Sequence, residues 1–318
     1  MTIRAAAALL LLLDGPTAIV AAVPDSLALP AACASVGAAG LHPAPAPRAG
    51  FDATGFRVRL PPRDGAVAAS MEAARLHVAG QAADTPDADL ERAASASAAA
   101  LLIGLTGSGH SGCPTSLLQS AGTPIVQGLR QGGSYMAVWQ GVTLRGGSGR
   151  VTASRMQLRL DGAGGTGEDR LVHVSLTLDG IGGALTPPTL LPDRIAVRIT
   201  LPAASLPTLL AATGGGAPDA QIPVTVDEIS ITRGETVLHA DGEATAAATP
   251  MDSKARLHLT ARNYDDLVSQ AAVHDLTRLH TALFLSRLVS RRSGDTLDWD
   301  VDLADGLLAV NNVPIPLR

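Results

Sequence analysis

The run VHVSLTL, residues 172–178, alternates Val172, Val174, Leu176 and Leu178 with His173, Ser175 and Thr177. Successive side chains of a strand point to opposite faces, so this period of two predicts a half-buried β-strand. The same pattern recurs in IAVRITL (195–201), ARLHLTA (255–261) and LDWDVDL (297–303), the last setting Asp298, Asp300 and Asp302 toward solvent. Weaker alternation predicts strands at 151–160, 222–231 and 237–248. Asp-Gly steps at 161–162, 179–180, 241–242 and 305–306 are hairpin signals, because both residue types tolerate the positive φ of tight turns. The expected fold is α+β and β-rich: an antiparallel, twisted sheet of about seven strands.

One helix of residues 263–292 is expected to pack on that sheet. Asn263 suits its N-cap, Asp265 and Asp266 its first turn, and Arg287, Arg291 and Arg292 its last, with Gly294 beyond. Leu276, Leu279 and Leu283 fall on one stripe, the expected ligand-facing side. A helix about 10 Å wide covers only part of a sheet whose strands lie about 4.8 Å apart. The remaining apolar area must meet a second layer, a partner or a lipid chain. A closed sandwich and an open trough both satisfy this pattern.

The preceding residues are organised differently. Residues 57–133 read as a mixed α/β region, with alternating FRVRL (56–60) and ARLHVAG (74–80), and an acidic loop, DTPDAD (84–89), capping an alanine-rich helix over 90–102. Residues 23–56 read as a low-complexity Ala/Pro arm, its HPAPAPRAG (42–50) an extended polyproline stretch. Residues 1–22 carry Arg4, an apolar run over 5–13 and small residues ending at Ala22, the pattern of an export signal. A retained anchor is the rival reading, although Asp14, Gly15 and Pro16 interrupt the span. A lipoprotein box at LALPAAC, ending at Cys33, is a third, weakened by Pro30. The protein is thus expected in the periplasm or cell envelope, and 134–318 forms the β-rich domain.

Composition narrows the chemistry. Phe, Trp and Tyr make up 2% of 318 residues while 46% are hydrophobic, so the core is built from small aliphatic side chains. A net charge of -5 without a basic run argues against nucleic acid. The two cysteines, Cys33 and Cys113, are expected to form a disulfide in an oxidising compartment.

GLTGSGHSGCPTS (104–116) places Ser108, His110 and Ser111 on a glycine-rich loop, the residue types of a nucleophilic site. It contains no G-x-S-x-G frame, and Cys113 stands where the second glycine belongs, so a structural loop is the expected reading. His274 and His280 are six apart on a helix, and His173 and His258 lie on separate strands, so no metal spacing emerges. The glycine loops RGGSGRV (145–151) and DGAGGTGEDR (161–170) lack a phosphate-binding frame and read as hairpin connections; no nucleotide or other cofactor is expected.

The succession LPDRIAVRITLPAASLPTLL, GETVLHADGEATAAATP, ARLHLTARNYDDLVSQA and LDWDVDLADGLLAVNNVPIPL resembles the bacterial envelope family termed domain of unknown function 2125. The terminal strand, Asp-Gly turn, short strand and VPIP also resemble the endings of AsmA-like envelope proteins, many of them linked to lipid movement between membranes. The resemblance implies an envelope location and carries no catalytic motif onto this chain. Two function classes follow: a non-enzymatic envelope protein that binds a lipid or supports an envelope complex, and an exported hydrolase using Ser108, His110 and Ser111.

Overall fold

A single antiparallel sheet runs through the computed structural model, which describes residues 27, 29–44, 49–62, 68–80, 86–106, 115–165, 170–185, 189–213, 221–247, 252–304 and 307–316. Two short strands, β1 (Ser35–Gly37) and β2 (Gly40–Pro43), flank β3 (Ala49–Leu60), which pairs with β4 (Ala69–Gly80). Helices α1 (Asp87–Thr106) and α2 (Thr115–Arg130) follow, then β5 (Ser134–Gly146), β6 (Gly149–Gly162), β7 (Leu171–Asp179), β8 (Gly182–Leu185) and β9 (Arg194–Pro202). Helix α3 (Leu206–Thr213) leads to β10 (Ile222–Arg233), β11 (Thr236–Ala246) and β12 (Lys254–Arg262). The chain ends through α4 (Tyr264–Val273), α5 (Thr277–Leu288), β13 (Arg291–Ser293), β14 (Thr296–Ala304), β15 (Leu307–Val310) and β16 (Val313–Pro316).

The β-rich, antiparallel character matches the alternation in the sequence, but the scale does not: the described residues form sixteen strands and five helices, not about seven strands and one helix. Within the expected Ala/Pro arm, residues 35–37, 40–43 and 49–56 are sheet strands, and 45–48 of the polyproline stretch fall outside the described residues. A period-two reading captures the long amino-terminal strands only in part, because their alternation shifts by one residue along a row crossing β3 to β6. Ala53 and Phe56 both face inward, as do Ala73 and Leu76, Trp139 and Val142, and Ala153 and Met156. Gly55 and Gly141 sit in this row at φ 58° and 62°, a left-handed conformation that a β-carbon disfavours. Of the Asp-Gly steps expected as hairpin turns, Asp161-Gly162 ends β6, Asp179 ends β7 with Gly180 a bend beyond it, Asp241-Gly242 lies inside β11, and Asp305-Gly306 falls outside the described residues.

The expected 263–292 helix is two helices, the second ending at Leu288, and Arg291 and Arg292 lie in strand β13, not in a last helical turn. Residues 274–276 turn the chain, with Asp275 at φ 54°, and α5 returns across α4 so that the Tyr264 hydroxyl reaches Ser286 Oγ at 2.5 Å. Asn263 occupies the N-cap position of α4 but makes no side-chain cap; its Nδ2 donates to Glu235 O at 2.8 Å.

The sheet has an apolar and a polar face. Helices α1–α3 cover the apolar face over the amino-terminal strands, and α4–α5 cover it near β11–β14. On the polar face charges pair across strands: His77 with Asp52 at 2.9 Å, Arg198 with Glu228, His258 with Asp300 at 3.0 Å and Arg256 with Asp302 at 3.1 Å. Being exposed, these pairs set register more than they stabilise, each contributing about 0 to 1 kcal/mol.

Candidate functional site

Helix α1 is apolar nearly all round, as a helix enclosed on two sides must be. Leu90, Ala94, Ala98 and Leu102 belong to the main core. Its other face carries Ala93, Ala96, Ser97, Ala100, Leu101, Gly104 and Leu105, and these line an apolar chamber of about 310 Å³. The remaining wall comes from Gly122, Ile125 and Val126 on α2, Leu206 and Leu209 on α3, and Tyr135, Leu158, Leu160, Val174 and Leu176 on the sheet.

Small residues make the space. Ala93, Ala96, Ala100 and Gly104 recur at three- and four-residue intervals, so one strip of α1 presents little beyond its backbone. A β-carbon built on Gly104 would meet nothing within 4 Å. The strip from Ala93 to Leu105 is about 18 Å long at 1.5 Å per residue. Leu105, 43% exposed, marks where the chamber meets solvent. No charged side chain lines it among the described residues. The volume lies at the lower end of the about 300–1,000 Å³ typical of small-molecule sites.

Two polar side chains stand in this wall, Ser97 and Tyr135. Tyr135 is 1% exposed and its hydroxyl has no hydrogen-bond partner. Burial pushes its pKa well above the ordinary tyrosine value; Ser97 is near enough to oppose that shift in part, but its hydroxyl is not placed to complete a hydrogen bond. The phenol therefore stays neutral and keeps its proton to donate.

None of the described candidate site residues from the sequence lines the chamber. Ser108, His110, Ser111 and Cys113 fall outside the described residues, as does the 1–22 segment. Cys33 is fully buried and is not free. Leu276 precedes α5, Leu279 is half-buried, and Leu283 packs against the cluster around Tyr264 and Trp299; none of the three lines the chamber. The outward side of α5 instead shows Phe284, Leu285 and Leu288 to solvent. Among the described residues no helix is long and apolar enough to cross a membrane.

The described histidines and aspartates engage mainly in cross-strand hydrogen bonds and ion pairs on the polar face. His173 Nδ1 lies 2.7 Å from Thr200 Oγ1, which donates to Asp227 Oδ2 at 2.6 Å. The threonine thus gives its proton to the carboxylate and accepts from the imidazole, so His173 does not stand as a general base toward it. Asp300 takes hydrogen bonds from His258 and Arg291, which hold its carboxyl below the usual value. Among the described residues no three His, Cys, Asp or Glu side chains are grouped to hold a metal ion.

The chamber is not legible in the sequence, where its alanines signal only helix. The available signals were small residues at helical spacing and a tyrosine inside an otherwise apolar strand face. No family model, curated protein or solved structure matches the chain.

Proposed function

We propose that this protein is a non-enzymatic component of the bacterial cell envelope that holds a lipid chain in the chamber beneath α1–α3. The observation that carries this reading is the wall itself, elongated, uncharged among its described residues and emptied by small side chains on a helix otherwise suited to close packing. Burying an alkyl chain there releases about 25 cal/mol for each Å² of apolar surface taken from water. The export-type amino terminus and the resemblance to domain of unknown function 2125 and AsmA-like proteins support the envelope location.

Native mass spectrometry of protein extracted gently from envelopes tests it. The expected result is polypeptide carrying an added lipid mass, and loss of that mass in Ala96→Leu and Ala100→Leu variants, which fill the chamber while keeping a strong helix former. Recovery of wild type as bare polypeptide, with no displacement of a neutral fluorescent naphthylamine by alkyl compounds, overturns the reading.

A further inference from the structure

The chamber wall is apolar except at one place, and that place identifies the end of the ligand. Tyr135 stands on β5 directly across from Leu160 of β6, with Ala137 beside it on the same face. Buried tyrosines normally give their hydroxyl a partner, because an unpaired buried donor has lost its water for nothing. Tyr264, the other tyrosine of the chain, obeys this: its hydroxyl lies 2.5 Å from Ser286 Oγ and 3.2 Å from the Leu283 carbonyl. The Tyr135 hydroxyl has no such group, and Ser97, also in the wall, completes no bond with it.

The same wall restricts the charge of an occupant. A carboxylate or phosphate drawn inside would be stripped of water with no cation among the described lining residues. A neutral oxygen meets no such penalty.

Resting on the lipid-chamber reading above, we infer that the chamber binds a neutral single-chain amphiphile, an aliphatic alcohol or acyl ester, whose oxygen accepts a hydrogen bond from the Tyr135 hydroxyl. The alkyl chain then lies along the Ala93, Ala96, Ala100 and Gly104 strip toward the opening at Leu105. The acceptor oxygen is the shared chemistry, and comparing an alcohol with a methyl ester distinguishes its two sources.

The test uses the full chain and four probes: octanol, methyl octanoate, octane and octanoate, each titrated against a bound neutral naphthylamine. Tyr135→Phe is expected to shift the octanol-to-octane affinity ratio about fivefold to tenfold against octanol, the weight of one neutral hydrogen bond. The shift should recur for whichever of alcohol and ester is the better ligand. Octanoate should compete worse than octanol. A second readout needs no variant: with two tyrosines in the chain, ultraviolet difference absorption of wild type should show a tyrosine hydroxyl gaining a partner on octanol saturation and none with octane. An unchanged ratio together with no spectral change overturns the Tyr135 assignment while leaving the chamber reading standing. Failure of octanol and octane alike to bind wild type overturns both.

Discussion

Two helical covers lie on one sheet, and they treat their polar atoms in opposite ways. Under α4–α5, the Tyr264 and Trp299 rings meet at 5.4 Å; Trp299 Nε1 donates to Ser286 O at 2.8 Å, and Asn311 Nδ2 donates to Val289 O at 2.6 Å. Under and around α1–α3, Arg130 Nε, Tyr135 Oη, Trp139 Nε1 and Arg170 Nε are buried without partners, the four such side-chain atoms among the described residues. The small carboxy-terminal core satisfies its buried side-chain donors, and the hollow beside it is lined by charged side chains such as Asp265, Arg287 and Asp295, whereas the larger amino-terminal one keeps an apolar chamber and unused donors. Apolar volume and unused hydrogen-bonding capacity coincide on the side where α1 contributes alanine and glycine. A core with an apolar chamber and unpaired donors and a core with its donors paired are thus distinguishable within one chain.

If Cys33 and Cys113 are joined, only the amino-terminal cover is cross-linked, and this gives the largest expected contrast. Closing a loop of about 80 residues stabilises by about 4.5 kcal/mol in the chain-entropy model. Cys33→Ser, or reduction, should therefore lower the urea midpoint by that equivalent, and alkylation of unreduced protein should find no free thiol. Two alkylatable thiols in envelope-derived protein would remove the cross-link from the comparison. Trp299→Ala comes next, at about 3 kcal/mol, within the range for deleting a large buried aromatic. Hydrogen exchange should show the loss concentrated in α4, α5 and β14, with β3–β6 keeping their protection. Equal loss across the sheet would mean that the two covers are not separate cooperative units.

How much of this contrast the sequence carried depends on local pattern. Strands β7, β9, β12 and β14 were legible because Val172, Ile195, Leu257 and Trp299 each belong to an unbroken alternation. Strands β3–β5 were only partly legible, since the inward set changes parity between Ala53 and Phe56, between Ala73 and Leu76, and between Trp139 and Val142. The α4–α5 break was hidden because Asp275 and Thr277 interrupt no apolar period, yet the backbone at Asp275 is left-handed. Of the candidate site, the alanine strip was visible as helix but not as space. Whether a small side chain leaves a void depends on what faces it across the fold, which no spacing records.

The two tyrosines turn the comparison into a matched pair of substitutions. Tyr264→Phe deletes a hydroxyl bonded to Ser286 and should cost about 1 kcal/mol, leaving Ser286 Oγ with its bond to the Leu283 carbonyl alone. Tyr135→Phe deletes one with no partner and should be neutral or stabilising by about 1 kcal/mol in ligand-free protein. Equilibrium denaturation of both variants beside wild type measures the difference. Equal costs would show that Tyr135 finds a partner in solution and that the amino-terminal cover is as satisfied as the other.

The smallest expected effect lies on the polar face below the carboxy-terminal cover. Asp300 Oδ1 is 3.0 Å from His258 Nδ1, and its Oδ2 accepts from Arg291 Nη1 at 2.6 Å. The hydrogen bond from His258, then that from Arg291, holds the carboxyl below its ordinary value in the folded chain. A depressed folded pKa means that the unfolded chain takes up the proton first as pH falls. The contribution is therefore present above the ordinary carboxyl range and drains away below about pH 4, as the pH drops through the folded value. Asp300→Asn should flatten that part of the stability profile and leave the chamber's octanol affinity at neutral pH unchanged. The difference should shrink in high salt, because all three side chains are about half exposed and screened. Denaturation midpoints taken from pH 6 to pH 2, for wild type and variant, would overturn this if the two profiles ran parallel throughout.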